Sequence, residues 1–308
     1  MTEKAWPRIA IVGAGAVGGY FGGLLARAGA PVVFIGRPAF VEAVQRNGLL
    51  LDALQFKEAV RVQASTEIEA ARGAELVLFC VKTTDNAATS QAIAPLLTPS
   101  AIVLSMQNGV DNVEQIQKTA KITALPAVVY VAASVPEPGR VKHVGRGDLV
   151  IGPEGDKTRQ AAGVFSRANI PCRVSENIIG ELWTKLVWNC ALNAVSALGH
   201  AKYGQITSSP DAWKIVESVV YEVLAVAKRA KIKPPGLEDP KAALAGALKI
   251  ATQMSEALSS TAQDMSRGRR TEIDSLNGYV ARRGAELGVP TPVNQALFAL
   301  IKLAEGRA

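Results

Sequence analysis

Pro7-Arg8-Ile9-Ala10-Ile11-Val12-Gly13-Ala14-Gly15-Ala16-Val17-Gly18-Gly19 is the stretch that decides the fold. Its first half is a short, apolar, β-branched run, the composition of a buried strand. Its second half is Gly-x-Gly-x-x-Gly, and residues 20–28 behind it have helical composition and stop at Gly29. A second apolar run, Pro31-Val32-Val33-Phe34-Ile35, ends at Gly36-Arg37. Strand, glycine loop, helix and strand within about thirty residues make one βαβ unit. In that setting Gly13 permits the tight turn, Gly15 lets the backbone approach a pyrophosphate, and Gly18 lets helix and strand pack closely. Gly13, Gly15, Ala16, Val17 and Gly18 are therefore expected to hold dinucleotide phosphates. Free N–H groups and the dipole at a helix N-terminus favour an anion there. A glycine-rich turn without a ligand is the plain alternative.

The alternation continues outward. Residues 76–81 are fully apolar, as in a strand buried on both faces of a parallel sheet. Residues 85–97 are helix-like and close at Pro99, and 101–105 form another strand ending at Gln107-Asn108-Gly109. Strands near 124–133 and 147–151 are expected to extend the same sheet. This order predicts a doubly wound α/β sheet. After Asn177 the texture changes to stretches rich in Ala, Leu, Val and Lys at 180–198, 212–231, 240–266 and 271–287, with Gly and Pro between them. These read as helices. A chain of 308 residues exceeds the usual single core. The expectation is a Rossmann-type domain over residues 1–176 and an all-helical domain over 177–308, joined near 175–177 without a flexible linker.

The residue after the second strand selects the cofactor. Domains that bind NAD usually carry Asp or Glu there, on the ribose 2′-hydroxyl. This chain has Arg37. A guanidinium can take a 2′-phosphate in a bidentate fork, which a carboxylate would repel. Arg37 therefore points to NADP (as NADPH), and Lys82, at the end of the 76–81 strand, would add a second cation on that rim. The competing reading of Arg37 is an exposed loop arginine.

Composition excludes several other classes. The net charge of +7 comes from scattered Lys and Arg, with no basic tail and no basic run interleaved with aromatics, so nucleic acid is not expected. No apolar run is long enough to cross a bilayer. The start, Met1 to Pro7, lacks the apolar core of a signal peptide, so the reading is cytoplasmic. Cys80, Cys172 and Cys190 lie far apart with no CxxC or metal spacing and read as reduced thiols. His143 and His200 are too few for a typical zinc site, and no metal is expected.

The candidate chemistry lies in residues 180–194. Lys185, Asn189 and Asn193 are spaced i, i+4 and i+8, which makes one narrow stripe on a helix. Leu186, Val187, Trp188, Cys190, Leu192 and Val195 fill the other faces. A buried helix with one polar stripe suits the wall of a cleft; the alternative is the solvent edge of a packed helix. In the first reading Lys185 is the general acid that protonates a carbonyl oxygen as hydride arrives, and Asn189 and Asn193 hold the substrate. Further on, Thr271 and Asp274 resemble a capping box, which would put Glu272 in the first turn of a helix. Glu272 is then either an active-site carboxylate or a capping aid.

Taken in order, Gly13-x-Gly15-x-x-Gly18, Val81-Lys82, Gln107-Asn108-Gly109, His143-x-Gly145-x-Gly147, Lys185-x-x-x-Asn189-x-x-x-Asn193, Ser259-Ser260-x-x-x-Asp264 and Thr271-Glu272-Ile273-Asp274-x-x-Asn277-Gly278 closely resemble the ketopantoate reductase family (2-dehydropantoate 2-reductases) over almost the whole chain. The resemblance implies a Rossmann domain and a helical domain with the active site in a cleft between them. It implies NADPH-dependent reduction of ketopantoate to pantoate, on the route to pantothenate and coenzyme A. It implies Lys185 and Glu272 as catalytic residues. It makes Asn108, Asn189, Asn193 and Ser260 substrate-binding, with Asn108 also near the nicotinamide. Arg37 and Lys82 would touch the cofactor phosphates. The chain departs from its relatives at Ala194, where Pro is frequent, and at Tyr203, where some have Asn. Other readings kept open are a reductase of another 2-oxo acid, a 3-hydroxyacid dehydrogenase and a non-catalytic NADPH-binding sensor. The assembly state is open too, a homodimer being one option.

Overall fold

The computed structural model describes residues 5–306. The chain divides into two compact units. One runs as far as Gln107 and resumes over Asp111–Ile178; the other joins Asn108–Val110 to the chain from Ile179 onward. Residues 1–4, which carry part of the signal-peptide reading, and residues 307–308 lie outside the described residues.

The first unit runs β1 (Ile9–Val12), α1 (Ala16–Arg27), β2 (Val32–Ile35), α2 (Pro38–Asn47), β3 (Leu49–Asp52), β4 (Lys57–Val60), β5 (Gln63–Ser65), β6 (Leu76–Phe79), α3 (Asn86–Ile93), β7 (Ile102–Ser105), α4 (Asn112–Ala120), β8 (Ala124–Ser134), β9 (Arg140–Ile151), α5 (Asp156–Arg167) and β10 (Cys172–Val174). The strands lie in the order β4-β3-β9-β8-β7-β6-β1-β2-β5, with β10 beside β9. From β8 across to β5 every pairing is parallel. That is the Rossmann-type, doubly wound order, and the winding reverses between β1 and β6.

All four residues of β1 are buried, and they alternate between two cores. Ile9 and Ile11 meet Phe21, Leu25 and Phe34 on one face. Ala10 and Val12 meet Phe79, Ile93 and Ile116 on the other. A strand covered on both faces must be apolar at every position, which is what residues 9–12 and 76–79 show. β8 and β9 are longer than their apolar runs suggest. They form an antiparallel pair with register shifts between Tyr130 and Val131 and between Ala132 and Ala133. Gly147 (φ +140°), next to Arg146 (φ +54°), is the extra residue at the first shift and Val144 the extra residue at the second, and such insertions bend the strand.

The second unit is helical: α6 (Ile178–Leu198, its first residue still in the first unit), α7 (Tyr203–Ser208), α8 (Pro210–Arg229), α9 (Pro240–Gln253), α10 (Ser260–Ser266), α11 (Asn277–Leu287) and α12 (Pro292–Glu305). α6 is buried on most sides, and its Trp183, Leu186, Val187, Cys190, Ala191 and Leu192 share a core with Val216, Val219, Val223, Val280 and Ile301. Two sequence expectations need correction. Residues 240–266 form two helices, and Ser259 caps the second by accepting from Ala262 N. Residues 271–287 are not one helix, and the Thr271–Asp274 capping box does not form. Thr271 N and Oγ1 both donate to Glu305 Oε1, at 2.7 and 2.6 Å, and the Asp274 carboxylate is taken by Lys302 at 2.9 Å. Thr271 Oγ1 still accepts from Ile273 N at 3.2 Å, but with the Thr271 N–H and the Asp274 carboxylate both engaged by α12, residues 273–275 wind only a short 3-10 turn before α11 begins.

Candidate active site

At the C-terminal end of β1 the glycine loop has the geometry its sequence requires. Gly13 sits at φ +102°, and a Cβ there would stand 2.7 Å from Cys80 C and Val81 N. At Gly18 a Cβ would stand 2.2 Å from the Gly13 carbonyl oxygen and 2.9 Å from the Ile11 side chain. Gly15, the residue that opens α1, is exposed and has no atom within 4 Å of an added Cβ. Two glycines thus close the loop onto the sheet, and the third leaves open backbone at a helix N-terminus. The first turn of α1 carries no acidic residue to repel a phosphate. This cradle fits a dinucleotide pyrophosphate.

Arg37 follows β2 and Lys82 follows β6, the two strands that flank β1. Both cations therefore stand on the same rim as the loop, on strands about 10 Å apart. Arg37 is exposed, and its backbone carbonyl starts α2 by accepting from Phe40 and Val41 N–H. The Cys80 thiol lies against the loop, and burial pushes it far above the usual thiol range. All three cysteines are free thiols. Among the described residues no helix is long and apolar enough to cross a membrane, and no cluster of His, Cys, Asp and Glu could hold a metal.

The second constellation forms in the helical unit. Lys185, from α6, donates from Nζ to Asn108 Oδ1 at 2.9 Å. Asn108 Nδ2 in turn donates to Glu272 Oε2 at 3.0 Å. Lys185 and Glu272 lie 77 and 164 positions from Asn108, and one amide links a cation to a carboxylate with both of its ends used. Asn108 is delivered by the turn after β7. Gln107, just before it, is pinned by Nε2 to Val81 O at 3.0 Å and to Asn86 Oδ1 at 3.3 Å, and accepts from Ser105 Oγ at 2.9 Å. Glu272 is placed by the Thr271–Glu305 bonds before it and the Asp274–Lys302 ion pair after it. Neither support was visible in the sequence, because each depends on partners remote along the chain.

The rest of the stripe behaves differently along its length. Lys185 and Asn189 are half-buried, whereas Asn193 is 4 % exposed. Asn193 Oδ1 accepts from the Tyr203 hydroxyl at 3.1 Å. Ser259 is buried; its hydroxyl donates to the Asn193 carbonyl at 3.0 Å. Ser260, the first residue of α10, is exposed. A second network joins Asn277, met in the sequence only as part of a motif, to Glu222 and Asn294, which the sequence did not single out. Glu222 accepts from Val293 N, Asn294 N and Asn294 Nδ2, and Asn277 Nδ2 reaches Asn294 Oδ1 and the Cys190 carbonyl. It ties α8, α11 and α12 to the middle of α6, more than one turn beyond Lys185.

A doubly wound sheet with a phosphate-cradling loop, and a helical unit bearing a lysine–amide–carboxylate chain, together define a dinucleotide-dependent oxidoreductase. Residues 9–155 match the family described as "Ketopantoate reductase PanE/ApbA", and residues 177–305 match its C-terminal region. The chain belongs to the ketopantoate reductase family, oxidoreductases that act on a CH–OH group. A 2-dehydropantoate 2-reductase of Pyrococcus horikoshii is 34 % identical over 304 residues, covering 97 % of each chain. A solved ketopantoate reductase of the same family from Ralstonia eutropha is 44 % identical, with a TM-score of 0.91, over 97 % of this chain and 99 % of its own. A D-mandelate dehydrogenase solved with NADH and anilino(oxo)acetate is 25 % identical, with a TM-score of 0.90, over 97 % of this chain and 98 % of its own.

Proposed function

We propose that this protein reduces ketopantoate to pantoate with NADPH, in the cytoplasm, and that Lys185 is the proton donor. The observation that carries the reading is the Lys185–Asn108–Glu272 chain. When bound, the reduced nicotinamide supplies a hydride to the carbonyl carbon. The carbonyl π pair then moves to the oxygen, which must gain a proton to become the hydroxyl of the product. Lys185 Nζ, held by the Asn108 carbonyl oxygen, gives that proton. Glu272 accepts a hydrogen bond from the nascent hydroxyl and turns its oxygen toward the lysine. Asn189, Asn193 and Ser260 contact the rest of the substrate. The Gly13–Gly18 loop would hold the pyrophosphate, and Arg37 with Lys82 the 2′-phosphate. No carboxylate follows β2 to compete for that place.

The D-mandelate dehydrogenase relative, solved with NADH and an arylamino 2-oxo acid analogue, favours a second reading: reduction of a bulkier 2-oxo acid. One experiment separates the two. NADPH and NADH oxidation are followed by absorbance with ketopantoate, an aryl 2-oxo acid and short unbranched 2-oxo acids. The proposal expects the highest kcat/KM with NADPH and ketopantoate. A preference for the aryl acid would replace it with the second reading, and no turnover of any 2-oxo acid would refute both.

A further inference from the structure

Tyr203 and Asn193 make a buried pair whose polarity can be worked out. The phenol is 7 % exposed, and its oxygen lies 3.1 Å from Asn193 Oδ1. Burial holds the phenol well above its ordinary titration range, so it keeps its proton. That proton needs an acceptor, since an unsatisfied buried donor costs more than a hydrogen bond contributes. Asn193 offers one only if its carbonyl end faces the phenol. A flipped amide would present N–H to the phenol and leave the phenol proton with no acceptor among the described residues. The orientation of the Asn193 amide is therefore set by Tyr203. Its Nδ2 takes no bond from the described residues, and it is not among the atoms sealed from solvent. What Asn193 shows outward is a donor.

Tyr203 is itself fixed in place. Its N–H donates to the Ala257 carbonyl at 3.1 Å, and Gly204 N–H donates to the Ser255 carbonyl at 2.9 Å. Ser259 closes the other side by donating to the Asn193 carbonyl at 3.0 Å. The pair cannot easily shift to suit a different ligand.

The position of the pair along α6 says which end of a substrate it meets. Asn193 lies eight residues beyond Lys185, about 12 Å along the helix axis. A carboxylate bonded directly to the reacting carbonyl stays close to the proton donor. Asn193 stands two turns further along the same stripe, on the side where a tail leading away from the proton donor would lie.

We infer that Tyr203 is a specificity-determining positioning residue, which locks Asn193 as a hydrogen-bond donor to an oxygen at the tail of the 2-oxo acid. This rests on the proposed reaction. The substrate class it selects is a 2-oxo acid whose tail ends in a hydroxyl or carbonyl oxygen, over one that ends in a methyl group.

The test compares ketopantoate with 3,3-dimethyl-2-oxobutanoate, the same skeleton with methyl in place of the hydroxymethyl group. The quantity read is the ratio of the two kcat/KM values. The wild-type chain should favour the hydroxylated acid by about tenfold or more, the scale of one well-placed hydrogen bond. Tyr203→Phe, which removes only the hydroxyl that orients the amide, should lower that ratio about three- to tenfold. The loss should appear in KM for ketopantoate more than in kcat, with NADPH affinity unchanged. An unchanged ratio in a Tyr203→Phe protein that melts normally would overturn the inference. If Tyr203→Phe does not fold, Asn193→Ala decides in its place: a ratio near one supports the inference and an unchanged ratio overturns it. Equal wild-type efficiency on both acids sinks the inference and leaves the proposed reaction standing. No turnover of either sinks both.

Discussion

Asn108→Asp changes the charge of the link between Lys185 and Glu272 without changing its shape. The oxygen that accepts from Lys185 at 2.9 Å remains, but the nitrogen that donates to Glu272 at 3.0 Å becomes a second oxygen. Two full negative charges 3.0 Å apart repel by about 5–6 kcal/mol at an effective dielectric near 20, and the lysine attracts the new charge by about as much. The electrostatic terms roughly cancel, while the charge-assisted hydrogen bond to Glu272, worth about 1.5–3 kcal/mol, is lost. A proton bound between the introduced carboxylate and Glu272 would restore it, because a neutral carboxyl donates as the amide did. The expected result is a kcat/KM about 10- to 150-fold below wild type near neutral pH, the range those energies span. Part of that activity should return as the pH falls, a recovery the wild type does not show. The assay is kcat/KM for the 2-oxo acid from about pH 5 to 9, beside NADPH affinity and thermal melts. A folded variant within threefold of wild type, with the wild-type pH profile, would show that the amide does not couple the two charged groups.

Lys185→Ala should lower turnover by about a hundred- to ten-thousandfold while NADPH binding stays close to normal; a folded variant keeping more than about a tenth of wild-type turnover removes Lys185 as proton donor. Arg37→Ala should weaken NADPH by about 1.5–3 kcal/mol in calorimetry and leave NADH nearly alone; equal losses for both would place Arg37 away from the 2′-phosphate. At Gly15 an added methyl meets nothing within 4 Å, so Gly15→Ala should melt within a few degrees of wild type yet bind the dinucleotide much more weakly. If its affinity is normal, the loop does not approach the pyrophosphate. Burial holds the Cys172 thiol up at about 12, and Cys80 and Cys190 higher still. The folded chain then keeps these protons while an unfolded chain loses them above the ordinary value of 9.0, so stability should fall as the pH rises from about 9. A denaturant midpoint that stays flat from about pH 8 to 11 would contradict that burial.

The parts of this molecule that were legible in the sequence are those set by local rules. Ile9–Val12 and Leu76–Phe79 had to be strands buried on both faces, because no polar residue interrupts them. Gly13 and Gly18 could be assigned steric duties from spacing alone, and the contacts an added Cβ would make there agree. Lys185, Asn189 and Asn193 could be placed on one helix face by arithmetic. What arithmetic could not supply was the partner of each. Thr271 and Asp274 satisfied a capping pattern on paper, yet the Thr271 N–H that should reach Asp274 goes to Glu305 and the Asp274 carboxylate goes to Lys302, each about thirty residues on. A local motif yields when a charged partner from another element offers a stronger bond.

The same reasoning explains why Asn193 was only half read. Its spacing from Lys185 placed it on the stripe, and its residue type allowed it to act as donor, acceptor or both. Nothing in residues 185–193 chooses among these. The choice is made ten residues away, by a tyrosine that brings one proton and no other described acceptor for it into a nearly dry site. An asparagine in water turns freely between its two faces. In a site where a buried donor must be satisfied, the misoriented amide strands the phenol proton at a cost of about 1–3 kcal/mol, enough to hold one orientation in most molecules. The polarity that a substrate meets at Asn193 is thus decided by α7, and a change at Tyr203 should alter selectivity without touching any residue of the proton-transfer chain.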